Sequence, residues 1–205
     1  IKIQALPERF GEMESLNSIT FNKCDLRRLP VSFGKLPNLK SCSLGGNRIS
    51  FLPENFGELT KLLRLDLSEN ALDELPMSFG NLTTLLDLDL QDNRLMLLPE
   101  NFGDLTKLKR LNLTSNKLDS IPDSFGNLGN LSTLYLSNNI LERLPKTFEQ
   151  LENLKVLDLF NNRLRNISFS LEKLPRLMRL NLSFNPFYSA KKLTSSESLK
   201  YLSLS

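Results

Sequence analysis

Leu62-Leu63-Arg64-Leu65-Asp66-Leu67-Ser68-Glu69-Asn70 is the stretch that decides the fold. Leucines hold its first, fourth and sixth places, and an asparagine closes it. The Leu-x-Leu centre alternates apolar and polar, which argues a strand with one buried face. The frame returns along the whole chain. Its leading leucine stands at Leu16, Leu39, Leu62, Leu85, Leu108, Leu131, Leu154 and Leu177, in steps of 23 residues, and Leu199 follows after 22. One domain over 1–205 is therefore expected. It comprises a half repeat (1–15), eight repeats (16–198) and a partial ninth (199–205). The chain is expected to be a fragment of a longer one, since both ends would otherwise expose core.

The asparagine recurs at Asn47, Asn70, Asn93, Asn116, Asn139, Asn162 and Asn185. It sits where the chain must leave the strand, and a side-chain amide there can satisfy turn backbone that no neighbouring strand pairs with. Stacked copies predict an asparagine ladder, with Cys24 as a small buried substitute in the first unit. Proline follows at Pro7, Pro30, Pro53, Pro76, Pro99, Pro122 and Pro145. It disfavours helix in the residue before it, so the return segment should start extended and hold at most a short helical turn. Phe10, Phe33, Phe56, Phe79, Phe102, Phe125 and Phe148 share one register, which takes seven of the 13 phenylalanines. They should stack as a buried spine, each worth about 1.5–3 kcal/mol. Gly11, Gly34, Gly57, Gly80, Gly103 and Gly126 follow them, where close backbone approach is expected.

Each unit reads LxxLxLxxNxLxxLPxxFGxLxx. Across the whole chain this resembles the leucine-rich-repeat family. The 23-residue length with LPxxFGxL is similar to its intracellular Ras-group branch, the Scribble, Erbin and Ras-suppressor type. The resemblance implies an α/β solenoid: a right-handed horseshoe with a parallel concave sheet and irregular, extended or 3-10 convex segments. It also implies a cytoplasmic scaffold or adaptor in signalling, with a small GTPase, phosphatase or junction component as partner. The pattern decays late. Glu149 replaces Gly, and Ser168, Leu171 and Glu172 replace Pro, Phe and Gly.

Composition narrows the function. Net charge is +3, from 26 basic and 23 acidic residues. The longest basic runs are the pairs Arg27–Arg28 and Lys191–Lys192, so no nucleic-acid partner is expected. No apolar run nears the roughly 18–20 residues of a membrane helix. The chain has no histidine, which removes Ser/His/Asp and Cys/His catalysis and every imidazole metal site. No enzyme activity, metal or cofactor is expected. Cys24 and Cys42 make no disulfide framework and favour a reducing compartment; both read as inert buried thiols. Sequons at Asn81, Asn112, Asn130, Asn166 and Asn181 permit an extracellular alternative, although the repeat itself generates some of them.

In each strand the leucines point in, so the third and fifth places face the concave side. Expected partner-binding residues are Arg64, Asp66, Asp87, Asp89, Arg110 and Asn112 in a charged zone. Tyr135, Val156, Asp158, Phe160, Arg179, Asn181 and Phe184 form an aromatic zone. Exposed Tyr, Phe and Arg are the types that carry interface energy. Arg64 and Arg110 flank Asp87 and could instead form a ladder of surface ion pairs of little worth. Asp66 and Asp89 are adjacent, but an open face and arginine neighbours favour both staying ionised. The reading is a module that binds another protein. The alternatives are an extracellular or receptor-type recognition domain, a structural subunit, or the targeting arm of an enzyme.

Overall fold

Nine three-residue strands form one parallel sheet in the computed structural model, which describes residues 2–188, 193 and 196–205. The strands are β1 (Ser18–Thr20), β2 (Ser41–Ser43), β3 (Arg64–Asp66), β4 (Asp87–Asp89), β5 (Arg110–Asn112), β6 (Thr133–Tyr135), β7 (Val156–Asp158), β8 (Arg179–Asn181) and β9 (Tyr201–Ser203). They stack in chain order. Register follows the repeat, so Arg64 faces Asp87 and Asp87 faces Arg110. Ile1 and the Lys191–Lys192 pair lie outside the described residues.

The middle residue of β1 to β8 is buried and its two neighbours are not. That is the expected alternation of a strand. Leucines from every coil then share one dry interior. At the far end Leu202 and Leu204 of the last coil are exposed.

Seven prolines place the return segment. Pro7, Pro30, Pro76, Pro122 and Pro145 hold an extended conformation immediately before a 3-10 turn. All the helical segments among the described residues are 3-10, of three or five residues. The fixed proline φ and the missing N–H account for so short a turn. Behind the turn, Phe33, Phe56, Phe79, Phe102, Phe125 and Phe148 stack with ring centroids 5.9–6.3 Å apart. That spacing exceeds the roughly 4.8 Å between strands, so the column of coils curves with the sheet inside. The coil is right-handed, as parallel strand connections are.

The spine does not stop at Phe148. Phe169 stacks on it at 5.4 Å and is buried. It comes two residues before the expected register, where Leu171 stands, and replaces the missing ring from an altered backbone path. Gly126 shows why glycine follows the ring: an added Cβ would lie 2.5 Å from the Thr147 carbonyl oxygen of the next coil.

The asparagine ladder is formed. Asn116 accepts the Leu95 N–H at 3.0 Å and donates to the Leu90 and Leu113 carbonyls at 2.9 and 3.1 Å. Each rung thus ties its own turn to the preceding coil. Cys24 departs from expectation, because it is half-buried rather than buried. It sits at the start of the ladder, where Asn47 still caps its N–H at 3.0 Å. Cys42 is buried, and burial pushes its thiol well above its ordinary range, with the Asp66 carboxylate adding to the effect.

Candidate partner-binding site on the concave face

All thirteen expected site residues are at least partly exposed, and those in the strands line the inner face of the sheet. Arg64, Arg110, Tyr135, Arg179 and Phe184 are exposed; Asp66, Asp87, Asp89, Asn112, Val156, Asp158, Phe160 and Asn181 are half-buried. Two hollows result. One, of about 470 Å³, gathers Arg64, Asp66, Asp87, Asp89, Arg110, Asn112 and Tyr135. The other, of about 680 Å³, gathers Tyr135, Val156, Asp158, Arg179 and Asn181 with Lys200 and Tyr201. Tyr135 borders both.

Row five carries a local duty that the alternation rule does not reveal. Asp66 Oδ1 accepts the Ser68 N–H at 3.0 Å, and Asp89 Oδ1 accepts that of Gln91 at 3.0 Å. Asn112, Asp158 and Asn181 do the same two residues on, at 3.0–3.1 Å. These are Asx turns, in which a short polar side chain satisfies backbone as the strand ends. Only one carboxylate oxygen of each Asp is then committed to the turn. The readable signal was Asp or Asn two residues before an unpaired amide, in Asp-Leu-Ser, Asp-Leu-Gln and Asn-Leu-Thr. Tyr135 is the row-five residue from β3 to β8 that caps nothing.

The arginine ladder is half made. Arg110 pairs with Asp87 at 2.7 Å. Arg64 is on the same row but makes no ion pair among the described residues. It projects into solvent, where a long side chain gains little from ordering. Asp66 and Asp89 face each other across β3 and β4. Burial raises the Asp89 carboxyl pKa; the Gln91 N–H and the Asn112 amide oppose the shift, and the Asp66 charge reinforces it. The Asp89 carboxyl therefore takes up a proton more readily than an ordinary carboxylate.

The aromatic zone divides in two. Tyr135, Val156 and Arg179 lie in the second hollow, where the Arg179 guanidinium carbon stands 4.8 Å from the Tyr201 ring centre. Tyr201 belongs to row three but was not singled out from the sequence. Phe160 and Phe184 line neither hollow. They pack at 4.9 Å on the rim, past the strand ends. Phe184 is 66% exposed at φ 57°. Every coil bends into left-handed backbone at this place, through Gly46, Glu69, Asp92, Ser115, Asn138 and Asn161 among others. Glycine or asparagine suits it; a bulky aromatic is an outlier there.

A second exposed apolar set, Val31, Phe51, Met77, Met96 and Leu97, occupies the flank on either side of the LP step. It sits at positions the repeat leaves variable, and periodicity gave no reason to select it. No group of three or more metal-ligating side chains exists among the described residues, and no helix is long and apolar enough to cross a membrane.

The coil resembles known proteins over nearly its whole length. A Leptospira interrogans leucine-rich-repeat protein shares 36% identity and a TM-score of 0.90, over 99% of this chain and 52% of that one. This chain thus spans about half of that relative. TLR13, solved as a complex with ssRNA13, matches at 29% identity and TM-score 0.81, over 98% of this chain and 30% of that one. The functional domain of InlJ from Listeria monocytogenes, described as including a cysteine ladder, shares the fold at 20% identity and TM-score 0.81, over 99% of this chain and 46% of that one. No curated protein matches. The family described as leucine-rich repeat region matches residues 32–134 and 80–205. With the buried leucines, the asparagine ladder and the stacked coils, these matches make the chain a member of the leucine-rich-repeat family.

Proposed function

We propose that this chain is a recognition module that binds another protein in its concave trough and performs no chemistry of its own. One observation carries the reading. Row five is committed to strand capping from β3 to β8 except at Tyr135, which is 39% exposed between the two hollows. A tyrosine there has no local duty, and tyrosine is a residue that anchors interfaces. Phe184 supports the same reading, because an exposed aromatic in left-handed backbone is retained at a cost to the fold.

The finer reading is a scaffold or adaptor in intracellular signalling, of the Ras-group type. Its partner would be a small GTPase, a phosphatase or a junction component. The repeated LPxxFG unit supports it. So do the two free cysteines, which suit a reducing cytoplasm. An RNA partner, as in the TLR13 complex, is disfavoured by Asp66, Asp87, Asp89 and Asp158 along the trough, since phosphate seeks a continuous basic surface.

The test compares proteins captured by the chain with those captured by a Tyr135→Ala/Phe160→Ala/Phe184→Ala variant of equal folded content. Proteins lost only from the variant support the reading. Identical capture by both overturns it.

A further inference from the structure

The two hollows differ in charge. In the first, Asp87 is neutralised by Arg110 at 2.7 Å. Asp66 and Asp89 are not. Among the described residues Asp66 takes only the Ser43 and Ser68 hydroxyls and the Ser68 N–H, at 2.6–3.0 Å. Asp89 takes the Gln91 N–H and, at 3.4 Å, the Asn112 amide. All of these donors are neutral. The second hollow holds Arg179 and Lys200, whose one acidic companion there is Asp158. Neither cation forms an ion pair within the chain among the described residues. With the unpaired Arg64 counted, the first hollow keeps one net negative charge and the second one net positive charge, and the Tyr135 ring divides them.

We propose that the trough recognises a polypeptide segment that runs across the strands and is itself dipolar. It sets a lysine or arginine over Asp66 and Asp89, an apolar side chain against Tyr135 and Val156, and a carboxylate between Arg179 and Lys200. This rests on the concave-face reading above and specifies its partner. The spacing follows from the sheet. Strands lie about 4.8 Å apart, so about 12 Å separate the midpoint of the anionic pole from Tyr135 and about 12 Å separate Tyr135 from the midpoint of the cationic pole. An extended segment advances about 3.3 Å per residue. Its apolar residue then falls about four places from the basic one, and the acid about six to eight places from it. Opposite charges at the two ends fix the direction in which the segment lies, because the reversed arrangement sets like charges together.

A displayed random peptide library selected against the chain tests this, followed by fluorescence anisotropy on one selected peptide. The expected winners pair a basic and an acidic residue about six to eight places apart, around an apolar one. Asp66→Asn/Asp89→Asn keeps both strand caps, as Asn112 and Asn181 do, and should weaken the peptide about tenfold, or 1.4 kcal/mol. It should do so only while the peptide retains its basic residue. Arg179→Gln/Lys200→Gln should act likewise through the acidic residue. Winners without this spacing, no winners at all, or charge variants that bind at parental strength overturn the proposal. Tyr135→Ala separates the two levels. If it weakens binding while the charge variants do not, the dipole is wrong and the trough stands. If none of the three weakens binding, the concave-face reading falls with it.

Discussion

The outer spine and the inner trough are built from the same coils but answer to different constraints. On the spine each coil must repeat its predecessor, because every ring is the floor for the next: Phe79 rests on Phe56 and Phe102 on Phe79, at 6.2 and 6.3 Å. In the trough the strand backbone repeats and the side chains do not. Row three runs Arg64, Asp87, Arg110, Thr133, Val156 and Arg179 without breaking the sheet. Burial explains the contrast. A side chain that neighbours enclose is held to one shape, whereas one that faces solvent can change at little cost. Variation in the trough is therefore where a partner can be encoded.

The largest expected effect lies on the spine. Phe102→Ala should destabilise by about 3–5 kcal/mol, seen as a lower denaturant midpoint. A loss under about 1 kcal/mol would mean that the stack can collapse around a void. The ladder comes next. Asn116→Ala leaves the Leu95 N–H without its partner, while the Leu90 and Leu113 carbonyls keep the Asn93 and Asn139 amides. At about 1–3 kcal/mol for the orphaned N–H, a loss of about 2 kcal/mol is expected in the same titration.

The trough and its rim should respond in the opposite direction. Phe184→Asn places at φ 57° a residue type that Asn138 already supplies at the same φ. It should stabilise by about 0.5–1 kcal/mol and weaken partner binding; calorimetry and a binding assay together check both. The smallest effect is at Asp89. Its carboxyl pKa is raised in the fold, so the folded state binds its proton more readily than the unfolded chain does. Stability then falls as pH rises through that window, and the cost is fully present above it. Asp89→Asn retains the cap and removes the charge. It should gain about 0.5 kcal/mol at neutral pH, with the gain vanishing below the carboxylate range. Equal advantage at all pH values would remove the charge from the explanation.

Much of this contrast was legible in the sequence. Leucine spacing gave the strands and their inward face, and the recurring Asn, Pro and Phe gave the ladder, the extended return and the spine. Whatever depends on period was readable, because one coil predicts its neighbours. What was missed is local or aperiodic. Phe169 fills the spine two residues early, which the register cannot show. The caps at Asp66 and Asp89 are contacts between residues two apart, and reading those residues only by the face they occupy hides them. Register brought Arg64 beside Asp87 but does not choose a side-chain rotamer, and only Arg110 closed its pair.

The most direct test of the claim that the trough meets the partner is a photo-cross-linker introduced at position 135 and, separately, at position 81. Asn81 is exposed in the 3-10 segment Met77–Asn81 on the opposite side of the coil. With a partner that the chain captures and the Tyr135/Phe160/Phe184 variant does not, position 135 should cross-link and position 81 should stay silent. Cross-linking from 81 alone, or equally from both, would contradict the account.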